Sequence, residues 1–199
     1  MNGYIKIRKK AREILDSELS FKLFYHGAHH TYDVLKVIDQ YIKREGIDKY
    51  CAKLLRIGAL YHDIGFTVSN ENHEERGAEI AKKYMQYYGF SNKEIEIVKG
   101  FIIATRIPQT PKTFLEKIIC DADLDYLGRN DFYQISDQLF EELKAFSILK
   151  DINEWNKTQI KFLEAHHYFT DFAKRNRQPR KEKRIKELKE LVKKANNKM

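Results

Sequence analysis

Apolar residues recur at intervals of three and four along almost the whole chain, the spacing of helices that each pack one face. Ile7, Ala11, Ile14 and Leu15 set out a first amphipathic helix, and Val34, Leu35, Ile38, Tyr41 and Ile42 a second that begins just after His30. Asp48 can cap a third, over residues 51–64, which is apolar on most sides and so predicted to be central and buried. A loop over 65–72 leads to a fourth helix on Ala78, Ile80, Ala81, Tyr84, Met85 and Tyr88, with Gly89 as its stop. Ser91 and Glu94 form a capping-box pattern for a fifth, running through Ile95, Val98, Phe101 and Ile102. Pro108 and Pro111 bracket a break. A sixth helix carries Phe114, Leu115, Ile118, Ile119 and Ala122 and ends near Gly128. Further helices are predicted over 135–149 and 152–172. Pro179 suits the first turn of a last one, with Ile185, Leu188, Leu191 and Val192 as its stripe. The expected fold is all-α, a compact helical bundle with a basic C-terminal helix.

Composition agrees with that pattern. Three prolines and nine glycines in 199 residues are too few for the many tight turns of a stranded fold. Cys51 and Cys120 stand far apart and form no CxxC pair, which suits a reducing, cytoplasmic setting. Residues 1–11 are polar and basic, without the apolar core of a signal peptide. The longest apolar stretches are interrupted by Arg56, His62 and Arg106, so no membrane span is expected.

The net charge of +8 changes the picture only once it is localised. Residues 172–199 hold twelve Lys/Arg against three acids, a local +9 that leaves everything before it at −1. The expected division is therefore a helical domain over 1–178 and a basic helix or tail over 179–199. Contact of that tail with RNA or DNA is a secondary expectation, and the sequence carries no signal for an oligomer.

Chemistry concentrates where core-like helices turn polar. His62-Asp63 ends the most apolar helix, where burying a charged pair is costly unless something compensates it. A divalent cation would do so, because imidazole and carboxylate are both good ligands. A solvent-facing helix end is the plainer reading of an isolated His-Asp pair. Two other elements point the same way as the cation. Upstream stand His26, His29 and His30, and downstream Asp121, Asp123 and Asp125 break into an apolar helix. Three helices each offering His or Asp at a core-like point is the distribution of a site built inside a bundle.

His30, then Leu60-Tyr61-His62-Asp63-Ile64-Gly65, then Ala122-Asp123 resemble the H…HD…D signature of the HD-domain phosphohydrolases, with the motif core at about 25–129. The later run from Phe162 to Thr170 is similar to the C-terminal part of an uncharacterised branch. The resemblance implies an all-α enzyme binding one divalent metal ion through His30, His62, Asp63 and Asp123. Mn, Fe, Mg, Zn, Co and Ni are not distinguished by such a mixed donor set. The family pattern selects His30 over His26 and His29, and Asp123 over Asp121.

The implied reaction is hydrolysis of a phosphoester, of a nucleotide or related small molecule. Asp63 is the expected ligand and water-steering group, with His73 and Glu74 as further catalytic candidates. His73 resembles the histidine that serves a neighbouring metal in two-metal members, but Ala104-Thr105-Arg106 stands where those members carry further histidines. His73 is therefore expected to contact substrate or water, against the alternative of an ordinary helix-start histidine. Arg76, Arg106 and Arg129 are candidate phosphate ligands through paired N–H donors, each against the reading of a solvated surface arginine. Trp155 is expected in the core. The rival functions are an HD-fold iron oxygenase and a non-catalytic, metal-stabilised module that binds nucleic acid through the tail.

Overall fold

The computed structural model describes residues 3–197. Met1, Asn2, Lys198 and Met199 lie outside the described residues, the last two of them within the basic tail as counted from sequence. Among the described residues there are ten α-helices, joined by turns and two short 3₁₀ segments, and no strand. They fall into two compact units that divide between Asp123 and Leu124.

The first unit is organised by α3 (Lys49–Tyr61). Asp48 caps it, its carboxylate accepting from the backbone N–H groups of Tyr50 and Cys51. Ala52, Leu54, Leu55, Ile57, Gly58, Ala59, Leu60 and Tyr61 are all buried, as its apolar composition requires. Around it pack α1 (Gly3–Glu18), α2 (Ala28–Arg44), α4 (His73–Tyr87), α5 (Asn92–Ala104) and α6 (Phe114–Asp123). Gly58 permits close approach on two sides. A Cβ there would lie 3.1 Å from Phe101 of α5 and 3.2 Å from Ile119 of α6. The Ser91/Glu94 capping box starts α5 as its sequence specifies.

Three boundaries in this unit differ from the sequence reading. Helix α2 starts at Ala28 and so contains His29 and His30, instead of beginning after them. Helix α3 stops at Tyr61, and Ile64–Thr67 forms a separate 3₁₀ turn, leaving His62 and Asp63 in the bend between. Helix α6 ends at Asp123, and Asp125–Gly128 is again a 3₁₀ turn.

The second unit contains α7 (Phe132–Ala145), α8 (Ile152–Ala165), α9 (Asp171–Asn176) and α10 (Gln178–Asn196). The single helix expected over 152–172 is broken after Ala165, and Thr170 caps α9 by accepting from the Ala173 N–H. Trp155 is buried and stacked on Phe140, 6.0 Å between centroids, in the core as expected. Pro179 sits in the first turn of α10. That helix buries Leu188 and, unexpectedly, Lys181, while Leu191 is 47% exposed and so leaves the predicted stripe. The Lys181 ammonium donates to the His166 carbonyl and stands 3.3 Å from His166 Nδ1. Burial lowers its pKa to about 8, opposed by Glu182.

A truncation test follows. A chain ending at Gln178 loses Lys181 and Leu188 from the packing of the second unit, and the melting temperature is expected to fall. Turnover on a small phosphoester is expected to persist in whatever fraction remains folded. Circular dichroism melts and specific activity on one preparation check both halves, and a folded, metal-loaded, inactive truncation would show that α10 completes the active site.

Candidate metal centre

Each candidate side chain is placed by a local rule. The His30 backbone N–H bonds to the Gly27 carbonyl at 3.0 Å, which sets this residue in the first turn of α2 facing inward. His62 follows the last turn of α3, and its Nδ1–H donates to the Ala59 carbonyl at 2.8 Å. With that proton assigned to Nδ1, the Nε2 lone pair of a neutral ring is left for the centre of the bundle. Asp123 closes α6.

These groups converge. His30 Nε2 and His62 Nε2 are 3.3 Å apart. Asp123 Oδ1 lies 3.2 Å from the first and 3.4 Å from the second. Asp63 Oδ2 lies 3.4 Å and 3.2 Å from the same two nitrogens. The donor atoms of His30, His62 and Asp123 all fall within 4.8 Å of one another. Two donors bound to one ion at about 2.0–2.2 Å stand about 3.3 Å apart when the angle between them is roughly 100°. The spacing therefore fits a shared cation. Asp63 stands outside that trio, although its Oδ2 is a buried oxygen that adjoins both imidazoles and has no other hydrogen-bond partner among the described residues.

Electrostatics agrees with the geometry. Burial alone would lower the His62 pKa, but the carboxylates of Asp63 and Asp123 outweigh it and raise that pKa well above the usual imidazole value. Burial would likewise raise both carboxylates. His62, with His26 and His30, instead holds Asp63 well below the ordinary range, and His30 and His62 do the same for Asp123. The cluster is built around positive charge at its middle, which a proton or a metal cation can supply.

The other candidates sort themselves by position. His26 stacks on Phe66 at 4.2 Å between centroids, and Phe66 on His73 at 4.1 Å. Sequence reasoning missed Phe66, because a loop phenylalanine carries no periodic signal. His73 Nε2 is 3.6 Å from Asp63 Oδ1 and 3.4 Å from Glu74 Oε1, so both residues adjoin the cluster. Arg106 pairs with Glu74 at 3.8 Å and contacts Glu75. Arg76 is exposed and donates to the Glu71 carbonyl at 3.1 Å. Arg129 lies in the second unit, gripped by both carboxylate oxygens of Asp131 at 3.0 and 2.7 Å. Asp121 is fully buried on a different face of α6 from Asp123.

The two aspartates should therefore fail differently. Asp121→Ala is expected to lower the melting temperature while the folded protein still titrates with Mn²⁺. Asp123→Ala is expected to lose the metal with less effect on folding. His30→Ala should likewise harm metal binding more than His26→Ala. Calorimetric titration beside thermal melts reads this ranking, and its inversion would move the ligand assignment.

A comparison with known protein families falls on the same stretch. Residues 27–125 match the HD domain family. An uncharacterized protein of Clostridium beijerinckii is 31% identical over 106 residues, covering 52% of this chain and 63% of that protein. The chain thus spans less than two-thirds of that relative's length. No solved structure matches. Among the described residues no helix is long and apolar enough to cross a membrane. With His30, His62, Asp63 and Asp123 all inside the matched residues, residues 27–125 belong to the HD-domain family, whose members are generally metal-dependent hydrolases.

Proposed function

We propose that this protein hydrolyses a phosphoester, of a nucleotide or related small molecule, with one divalent cation held by His30, His62, Asp63 and Asp123. The observation that carries the reading is the convergence of two imidazole nitrogens and two carboxylate oxygens, at 3.2–3.4 Å, in the interior of a helical bundle. A cation held there would acidify water and neutralise charge on a phosphoryl oxygen.

The chain's own groups supply the rest. Asp63 turns Oδ2 to the cluster and Oδ1 to His73, so one carboxylate can both ligate and accept a proton from a nearby water. His73, with Nε2 between Asp63 and Glu74, is placed to hold that water or a substrate oxygen. Glu74 is buried and is the second base candidate. Of the three arginines, Arg106 adjoins this group through Glu74 and is the favoured phosphate ligand. Arg76 and Arg129 already bond to Glu71 and Asp131, and are weaker candidates.

The oxygenase reading would need ligands for a second ion. Thr105 spends its hydroxyl on the Ile102 carbonyl at 2.7 Å, and Arg106 is a cation, so neither extends the donor set. The test is to titrate chelator-treated full-length protein with each divalent ion. Each loaded form is then screened against nucleotides, cyclic nucleotides and nitrophenyl phosphate mono- and diesters. Hydrolysis that needs the metal and stops with chelator is expected. A folded, metal-loaded protein inert across the panel would sink the reading, and binding of an oligonucleotide by that same inert protein would favour the nucleic-acid module.

A further inference from the structure

The arginine at the end of α5 has an unusual pair of neighbours. Arg106 Nε stands 3.8 Å from Glu74 Oε2, and the same guanidinium contacts Glu75 Oε1. Glu74 is fixed from both sides. Its side chain is only 10% exposed, and its other oxygen lies 3.4 Å from His73 Nε2. Glu75 is different, because its side chain is 45% exposed and it pairs with an arginine whose side chain is itself 43% exposed, with Glu75 Oε2 and Arg106 Nη2 covered. A pair between side chains that exposed contributes little to stability, so it separates readily. One permanent carboxylate and one displaceable one therefore hold the guanidinium, and the permanent one, Glu74, also touches His73.

We infer that Glu75 is a built-in competitor for the phosphoryl anion. It parks Arg106 next to the cluster, and an incoming phosphate takes its place on the guanidinium. This rests on the phosphoester reading and deepens it, because it assigns the anion subsite to Arg106 and the control of its affinity to Glu75. A phosphate carrying two negative charges pairs with the planar N–H fork more strongly than a single carboxylate does. Glu74 stays behind as the group that keeps Arg106 oriented. The occupant implied is a terminal, dianionic phosphate rather than a diester, since only a dianion outbids a carboxylate already in place.

A double-mutant cycle on the full chain tests this, with inorganic phosphate as the probe, read by calorimetry with and without Mn²⁺. Arg106→Ala is expected to weaken phosphate binding more than tenfold, with Arg106→Lys intermediate. Glu75→Gln is expected to tighten it two- to fivefold and to lower KM for nitrophenyl phosphate while kcat changes less. In the Arg106→Ala background Glu75→Gln should have no effect, because the competition has lost its object. Should Arg106→Ala fail to fold, the same comparison in the Arg106→Lys background must show a reduced Glu75→Gln gain. The inference is overturned if Glu75→Gln leaves phosphate affinity unchanged or weaker, or if its gain persists undiminished without Arg106. Absence of phosphate binding to the wild-type chain overturns it too. A blank hydrolysis panel with an intact binding cycle would strike the reaction alone, whereas turnover without coupling would strike this inference alone.

Discussion

Asp63→Ala and His62→Ala are each expected to strip the protein of its metal and reduce hydrolysis to background while the helices remain. Replacing a group that merely orients a ligand typically costs about 10–100-fold in metal affinity. Removing a ligand itself should therefore cost more than about 100-fold. Both residues lie in the bend between α3 and the following turn, and the bond from Phe66 N–H to the Asp63 carbonyl uses backbone alone, so far-UV circular dichroism should change little. The two variants differ in what they leave. Without Asp63, two imidazoles face Asp123 alone, and the negative charge that attracts the cation is halved. Without His62, both carboxylates remain but a buried space opens beside Ala59. Elemental analysis, metal titration and turnover on one sample check the expectation, and wild-type turnover in either variant would remove the central claim.

Gly65→Ala should be the most damaging small substitution near the site. A Cβ at Gly65 would stand 1.9 Å from the His73 carbonyl oxygen and 2.9 Å from the Gly77 nitrogen. Those neighbours are backbone of α4 and cannot swing aside as a side chain would. Gly77 faces the other way across the same contact, its missing Cβ 2.8 Å from the Tyr61 carbonyl. Adding one methyl group must push the start of α4 away from the 62–65 bend, carrying His73 and Glu74 with it. Overpacking costs about 1–3 kcal/mol when side chains can adjust, and a backbone clash belongs at or above the upper end. That corresponds to a melting temperature lower by roughly 6–12 °C, with activity falling further than stability alone explains. Gly89→Ala is the control. Its φ of +80° makes a side chain unfavourable by about 1–2 kcal/mol, but nothing lies within 4 Å of the new atom, so turnover should survive. Equal effects from the two substitutions would mean that close approach at Gly65 does not position the site.

What could be read from the chain depended on whether the signal was local. Asp48, Ser91 with Glu94, and Pro179 act on backbone within a few residues, and each starts a helix where the sequence says it should. The inward pairs were legible for a related reason: His62-Asp63 and Asp123 are polar residues at points where everything around them is core. The break after Ala165 had a fainter mark, since 166–170 contains neither glycine nor proline and only Thr170, which caps α9, signals the new start. The burial of Lys181 is not evident from sequence, because a lysine in a charged run reads as solvated. Its spacing nevertheless continues the stripe of Ile185, Leu188 and Val192, and that was the available clue. The approach of Gly65 to Gly77, and of Arg106 to Glu75, joins residues whose proximity only the packed bundle creates.

Trp155 has a consequence for how this molecule can be watched. It is the chain's only tryptophan, and it is sealed against Phe140 within the second unit. Intrinsic emission excited at the red edge therefore reports on that unit alone, whereas every candidate metal ligand belongs to the first. Metal addition that raises the ellipticity melt but leaves the emission melt in place would reveal two transitions behind one apparent curve. Coincident curves would mean that the two units unfold as one cooperative body.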